Sequence, residues 1–370
     1  MEEKYYRTSC LVDYGVIRQN FVNLKALLPE NVMALAVIKA NAYGHGAVYA
    51  AKALEDVADY FGVATIDEAL ELRVISSKKI LVLGYVAHSD YPAVVRHDII
   101  PAIYSHADAL ALDKAAAEEG KAATVHLAVD TGMSRIGFQC TAEDAKEAKK
   151  IFSLKNIYVE GAFSHFSKAD ETDKSFTKKQ AEAFDSFFEM LGEEIKVKHL
   201  ANSAGTIDFD EYRYDMCREG ISMYGYMPSD EVDKSRVSLK PALEWHSHVT
   251  HVKYLEPGRI ISYGGTFTVK KKMKVATVSI GYADGYPRLL SNKGRVIING
   301  EYAPILGRVC MDQMMVDVSS IEDVKPEDDV ILLGTSGDKK IDADDIAGLT
   351  NTISYEVLCD IGERVPRIKK

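Results

Sequence analysis

The chain has 370 residues, 47% of them hydrophobic and 27% charged, and a formal net charge of -10 at pH 7. That length allows two ordinary domains or one barrel with an appendage, and the acidic balance argues against a general nucleic-acid binder. No apolar run approaches a membrane span and the opening MEEKYYRTSC has no signal-peptide core, while five scattered cysteines (Cys10, Cys140, Cys217, Cys310, Cys359) without metal spacing point to a reducing, cytoplasmic setting and to no metal site.

From residue 12 to about 225 short apolar strands alternate with helical stretches. The strand-like runs are MALAVIK from Met33, YFGVAT from Tyr60, KILVLGY from Lys79, IIPAIY from Ile99, ATVHLAVD from Ala123, IYVEGAFSH from Ile157, VKHLANS from Val197 and MCREGISMYG from Met216. Helical spacing predicts helices over 17–28, 67–76, 107–119, 142–152 and 176–194. This alternation implies parallel strands joined by crossovers. Eight of them in a little over 200 residues fit a closed (β/α)8 TIM-like barrel better than an open sheet. After Pro228 helical periodicity largely stops and β-branched strands with turn signals follow: LEWHSHVTHVKYLEPG, MKVATVSIGYADG, GRVIINGEY, QMMVDVSS and DDVILLG. The Asn299-Gly300 pair reads as a hairpin turn. The expected organisation is an α/β barrel over 12–235 followed by a mainly β C-terminal domain over 236–370, with residues 1–11 packing on the latter and a polar linker over 229–238.

Barrel enzymes build their sites at the C-terminal ends of the strands. The first strand ends in Lys39, within AVIKANAYGHGA. An amine at the mouth of a buried strand is costly to desolvate. It either snorkels outward or serves as a lysine whose pKa its surroundings lower, as imine-forming lysines require. The fifth strand runs into Asp130-Thr131-Gly132-Met133-Ser134-Arg135, the sixth ends in Ser164-His165-Phe166, the seventh in Asn202-Ser203-Ala204-Gly205, and the eighth carries Arg218-Glu219-Gly220-Ile221. Serine and glycine in the last two loops offer hydroxyl and amide donors to a phosphate. His165 taken alone fits a satisfied core histidine as well as a site residue. One lysine, one histidine, two arginines and a phosphate cradle on one rim point to an amine that joins a phosphorylated aldehyde.

In order along the chain stand AVIKANAYGHG, VDTGMSRIGF, FSHFSKADE, ANSAG, REGISMYG, ISYGGTF, IGYADGYPR, LGRVCMDQ, NTISYE and RVPRI. With these motifs the sequence resembles the alanine racemases, isomerases that depend on pyridoxal 5'-phosphate and combine a barrel with a β domain. The resemblance implies interconversion of L- and D-alanine, supplying D-alanine for peptidoglycan. It implies that Lys39 holds the cofactor aldehyde as an imine, and that Tyr43, Ser203, Gly220, Ile221 and Tyr355 bind the phosphate. Read as residues alone, Tyr43 and Tyr355 are equally compatible with amphipathic surface tyrosines. Arg218 would face the pyridine nitrogen and His165 would pack along the ring. Racemisation takes a proton from one face of Cα and returns it on the other, so a second base is needed. The resemblance assigns it to Tyr263 in Ile261-Ser262-Tyr263-Gly264-Gly265. A tyrosine ordinarily titrates near about 10 and needs cationic neighbours to act so. Arg135 is the expected neighbour and, with Met311 through its amide and Asp312, would meet the substrate carboxylate. Tyr263, Met311 and Asp312 belong to the β domain and in the family reach the barrel of a partner, which implies a head-to-tail homodimer.

One departure stands out. Where the family often carries a carbamylated lysine before V-D-T-G, this chain has Ala128, so Arg135 is oriented either by another group or by a small anion such as chloride. Three rival readings share some of these features. Basic amino-acid decarboxylases share the architecture, and Glu256-Pro257-Gly258-Arg259 and Cys359-Asp360 are similar to features of theirs, although Cys359-Asp360 lies in a chain end of racemase pattern. Pyridoxal-phosphate-binding regulators are single barrels and lack a domain bearing Tyr263. A serine or broad-specificity racemase of the same fold is the alternative in substrate only.

Overall fold

Eight short segments, most of them largely apolar, form parallel strands in the computed structural model, which describes residues 6–370. Their order in the sheet is Met216–Glu219, Met33–Val37, Tyr60–Val63, Lys79–Val82, Ile99–Ile103, Ala123–Asp130, Ile157–Phe163 and Val197–His199. The two ends of this row approach each other: Arg218 N donates to Ala201 O at 3.1 Å and Asp215 N to Lys198 O at 3.0 Å. The sheet is thus a nearly closed barrel, as the alternation predicted. Ile99–Ile103 is buried at every position, because helices cover the outer face of such a sheet and side chains fill the inner one.

The predicted helices are present with shifted ends, at Tyr14–Lys25, Ile66–Arg73, His106–Glu119, Ala142–Lys149 and Ser175–Leu191. Thr65, Ser105 and Thr141 start three of them by accepting a backbone N–H from three residues on. Three further helices were not anticipated: Ala47–Leu54, Tyr91–Arg96 and Ser203–Asp208. The first reads AVYAAKAL, too uniformly apolar for a clear stripe, and the other two have only six residues each. Barrel strands and helices make one compact unit, Gly15–Ala42 with Gly46–Lys240.

The second unit comprises the described residues through Tyr14, residues Tyr43–His45 and Pro241–Lys370. Its nine-stranded sheet runs Lys339–Ile341, Asp329–Ser336, Arg295–Ile298, Glu301–Leu306, Met314–Asp317, Met273–Val278, Leu243–Leu255, Thr8–Val12, Arg367–Lys369. Thr8–Val12 pairs antiparallel with Leu243–Leu255, Cys10 opposite Trp245; residues 1–5 lie outside the described residues. Asn299 and Gly300 join their hairpin with φ of 49° and 79°, and Ile298 faces Glu301 across the turn, the two positive φ values of a tight type I′ turn. The unit is not purely β. Ala343–Thr350, opened by a capping box at Asp342, and Ser354–Cys359 are helices that the reading of this region as strands had missed.

Residues 43–45 belong with this second unit because its own groups hold them. Tyr14 Oη donates to His45 O at 2.8 Å and Arg367 Nε to Gly44 O at 2.7 Å. A Cβ on Gly44 would fall 2.2 Å from Leu358 O, so no other residue fits there. Among the described residues no helix is long and apolar enough to cross a membrane.

Candidate active site

Lys39 follows directly on the strand Met33–Val37, where the apolar run placed it. What comes next is not a flexible loop. Ala40, Asn41, Ala42 and Tyr43 have φ of 52°, 52°, 54° and 51°, a left-handed turn of four consecutive residues, none of them glycine. Such a conformation costs an L-residue about 1–2 kcal/mol, and surrounding bonds must hold it. Ala40 N donates to Glu68 Oε1 at 2.6 Å, Ala42 N to Ile38 O at 3.0 Å, and Asn41 Oδ1 accepts from Ala47 N at 2.8 Å. Lys39 is half-buried at the head of this strained turn. Strain of this kind concentrates where a side chain has to be aimed.

Arg218 lies inside the barrel with only 3% of its surface exposed. Its terminal nitrogens donate to His199 Nδ1 at 3.0 Å, His199 O at 3.1 Å, Ser164 O at 2.8 Å, Leu200 O at 3.2 Å and His165 Nδ1 at 2.9 Å. Among the described residues its Nε–H has no acceptor. Burial, with Arg135 adding to it, lowers its pKa to about 10, still far above neutrality, so it stays charged and can only donate. His165 is held well below the usual imidazole range by burial and by Arg218, Arg135 and Lys39. It is therefore neutral, and Lys39, Arg135 and Arg218 all lie within its electrostatic reach. Sequence reasoning missed His199; a histidine in the apolar run before ANSAG was its only signal.

The seventh and eighth strand ends come together as expected. Gly220 N donates to Ser203 Oγ at 2.9 Å, Ser203 is buried at the first turn of Ser203–Asp208, and Ile221 opens a short helical turn through Tyr224. Backbone N–H groups at such a start, with a serine hydroxyl beside them, form a donor set for an anion.

Arg135, by contrast, is exposed and makes no hydrogen bond or ion pair among the described residues. Asp130 is close by but is engaged with Gly132 N and Ser134 N, each at 2.9 Å, which holds its carboxyl below the usual range against the opposing effect of burial. A cavity of about 20 Å³ lies between Ala128, Asp130, Arg135, Phe163 and His165, room for one water or one small ion. An exposed guanidinium is solvated by water, so its charge gives no need for the chloride offered above as one way to orient Arg135.

The remaining candidates stand in the second unit. Tyr43 and Tyr355 face each other with ring centroids 6.1 Å apart at 50°, and burial pushes the Tyr43 phenol up. Tyr263 heads the turn Tyr263–Gly265 and is 70% exposed. The preceding Ser262 has φ of 68° and donates through Oγ to Arg308 O at 2.6 Å. Met311 is 53% exposed, yet its backbone is fixed, since Ala283 N donates to its carbonyl at 3.0 Å. Asp312 Oδ1 accepts from Arg364 at 2.7 Å, and the same guanidinium donates to the fully buried Asp284 at 2.6 Å. Arg364 as the group that aims Asp312 was not foreseen.

Comparison with known proteins adds an independent line. The family model "Alanine racemase, N-terminal domain" matches residues 12–228 and "Alanine racemase, C-terminal domain" matches 242–369. The chain is 44% identical to alanine racemase 1 of Clostridium acetobutylicum over 90% of its own length and 88% of the relative's. Among solved structures it is similar to the alanine racemase of Clostridium difficile, with a TM-score of 0.96, 41% identity and coverage of 100% and 97% of the two chains. The alanine racemase of Bartonella henselae, solved with covalently bound pyridoxal phosphate, superposes with a TM-score of 0.88 at 30% identity, covering 99% of this chain and 100% of that one.

Proposed function

The chain belongs to the alanine racemase family, and from that premise we propose that it interconverts L- and D-alanine with pyridoxal 5'-phosphate, supplying D-alanine for peptidoglycan. The observation that carries the reading is Arg218. It is a buried, permanently charged donor whose terminal nitrogens are all engaged, and its remaining Nε–H is left for an acceptor. An unprotonated pyridine nitrogen is such an acceptor, and Ser203 with the amides of Gly220 and Ile221 would receive the phosphate of the same molecule, the Gly220 N–H turning to it from Ser203 Oγ, where it donates at 2.9 Å.

When bound, the cofactor supplies an electron-withdrawing ring that acidifies the Cα–H of an attached amino acid. Lys39 would make the covalent link and move a proton at Nζ on one face of Cα. Tyr263 would move the other proton at Oη. Arg218 keeps its proton near neutral pH, so it denies the ring nitrogen one, tempering the ring's pull and the side reactions that a stronger pull favours. His165, neutral and turned by its bond to Arg218, suits packing along the ring. Tyr43 and Tyr355 would add phosphate contacts. Arg135, the amide of Met311 and Asp312 would bind the substrate carboxylate and set its orientation. Because Tyr263, Met311 and Asp312 stand in the second unit, we place them in a site completed by the partner of a head-to-tail homodimer. Five free cysteines fit a cytoplasmic location.

Circular dichroism of L- and D-alanine, and separately of L- and D-serine, incubated with the protein with and without added cofactor tests the reading. Loss of optical activity from either alanine enantiomer, dependent on cofactor, is expected. Faster loss from serine would move the substrate assignment, and no loss from either would overturn the proposal.

A further inference from the structure

Five polar side chains cross the barrel interior in a row that none of the roles above requires. Tyr60 and Lys79 begin their strands, and both bond to Glu160, through Tyr60 Oη at 2.9 Å and Lys79 Nζ at 2.5 Å. The fully buried His126 follows: its Nε2 is 3.6 Å from Glu160 Oε2 and its Nδ1 is 2.9 Å from His199 Nε2. His199, also fully buried, then meets Arg218 through Nδ1 at 3.0 Å. Gly161 makes the row possible, because a Cβ there would stand 2.5 Å from the His126 ring. Phe163 stacks on His199 with centroids 5.2 Å apart, and the Arg218 guanidinium sits over the same phenyl ring at 5.7 Å.

Elementary hydrogen-bond logic fixes the direction of this row. An arginine only donates, so His199 Nδ1 must accept. A neutral imidazole that accepts at Nδ1 carries its proton on Nε2, so His199 donates to His126 Nδ1. His126 must then carry its proton on Nε2 as well, aimed at the Glu160 carboxylate, although 3.6 Å is longer than a hydrogen bond. Glu160 is ionised: despite burial, the nearby His126 and the bonds from Lys79 and Tyr60 hold its carboxyl down at about 2. Both imidazoles are held neutral chiefly by burial. For His126 the Glu160 contact opposes this and Lys79 and Arg218 reinforce it; for His199 Arg218 and His126 reinforce it.

We propose that His126 and His199 are positioning residues, a one-way row of N–H donors running from Arg218 to Glu160 that locks the Arg218 guanidinium in orientation. Among the described residues the buried cation has no carboxylate at hydrogen-bond distance. The row links it through aligned imidazole dipoles to the charge of Glu160 near the opposite end of the barrel. Its use for the cofactor rests on the reading of Arg218 given above, but the tautomers do not.

Long-range 1H–15N correlation spectra of the holoenzyme labelled in histidine test this first. Both His126 and His199 should be neutral with the proton on Nε2 from pH 5.5 to 9. An Nδ1–H tautomer, or titration of either ring near its ordinary value, would overturn the proposal whatever the enzyme catalyses, and the same spectra of cofactor-free protein decide it if no cofactor binds. The second arm compares His199→Gln, whose amide oxygen can accept from Arg218 while its NH2 donates to His126, with His199→Leu. The leucine variant should shift the absorption band of bound cofactor and lower kcat by about 10–100-fold, the scale seen when a residue that orients a binding group is removed. KM should change little, and the glutamine variant should restore both band and kcat to within about threefold. A folded leucine variant with an unshifted band and normal kcat would refute the positioning role; should that variant not fold, the tautomers still decide.

Discussion

Arg218 is 3% exposed and clamped between strand-end carbonyls and two imidazoles, whereas Tyr263 is 70% exposed on a turn bearing no ion pair. The same contrast separates Ser203 and the row behind Arg218 from Met311 and Asp312. Apart from the half-buried Lys39 and the exposed Arg135, the barrel's share of the candidate site is assembled by the barrel itself, from side chains buried at the ends of neighbouring strands. The second unit's share is presented outward: Tyr263 and Met311 stand exposed on turns whose backbone is fixed, and Asp312 is held by Arg364. Substitutions in the first group should therefore disturb folding and chemistry together, and substitutions in the second should disturb chemistry alone.

The largest effect is expected at Lys39. Lys39→Ala should cut racemisation by at least about 10⁴-fold, since it removes both the covalent anchor and one base. It should also remove the cofactor absorption band and cofactor fixable by borohydride. Borohydride-fixable cofactor on that variant would contradict the assignment.

Tyr263→Phe isolates the exposed half. Exchange of the Cα proton should fall by about 10²–10⁴-fold for one enantiomer, the range for loss of a general base, and much less for the other. Thermal stability should stay within about 0.5 kcal/mol of the parent, as for other surface changes. Equal, small losses for both enantiomers, measured by exchange into deuterated water, would rule out this tyrosine as the second base.

Glu219 probes the buried half through pH. It is fully buried, with Thr206 Oγ1 donating to Oε1 at 2.7 Å and Oε2 without a partner, and burial pushes its carboxyl up to about 7. An unfolded glutamate titrates near about 4.3, so between these values the folded chain holds more protons than the unfolded one. Its contribution is fully present below the unfolded value and is lost as pH rises through about 7. Glu219→Gln should accordingly raise the thermal midpoint at pH 8 by a few degrees, about 2–4 °C, and leave it nearly unchanged at pH 4. Calorimetry showing the same shift at both pH values would exclude a titrating Glu219.

The smallest effect is an expected silence. With Ala128 in place of a carbamylated lysine, bicarbonate should leave the rate unchanged, and a bicarbonate-dependent rate would show another carbamate at work. The gap beside Arg135 is only about 20 Å³, room for a water but not for a carbamylated lysine, so Ala128→Lys should not introduce such a response, read as a KM for alanine that bicarbonate leaves unchanged.

Much of this molecule is local, and local features are legible in a sequence. The eight barrel strands and the Asn299-Gly300 turn stand where the sequence pattern predicts them, because strand burial and turn chemistry depend on neighbouring residues. The short helices escaped it, since six residues or a uniformly apolar stretch carry no usable period. Among the proposed site residues, Lys39, Arg218, Ser203 and Gly220 are visible as strand-end residues. His199, Glu160 and Arg364 are not, because each acts through a partner at least 19 positions away.

By itself, then, the sequence determined the order of strands, the change from barrel to β domain and the identity of the residues at the strand ends. Tertiary structure alone decided how those residues are held. It twists Ala40–Tyr43 into a left-handed conformation that four L-residues would not keep unaided. It places 43–45 with the second unit through Tyr14 and Arg367, and it aligns Glu160, His126, His199 and Arg218 across the barrel. The physical reason is common to all three. Each arrangement is unfavourable or undefined within its own segment and becomes stable only when folding brings distant donors and acceptors to fixed places around it.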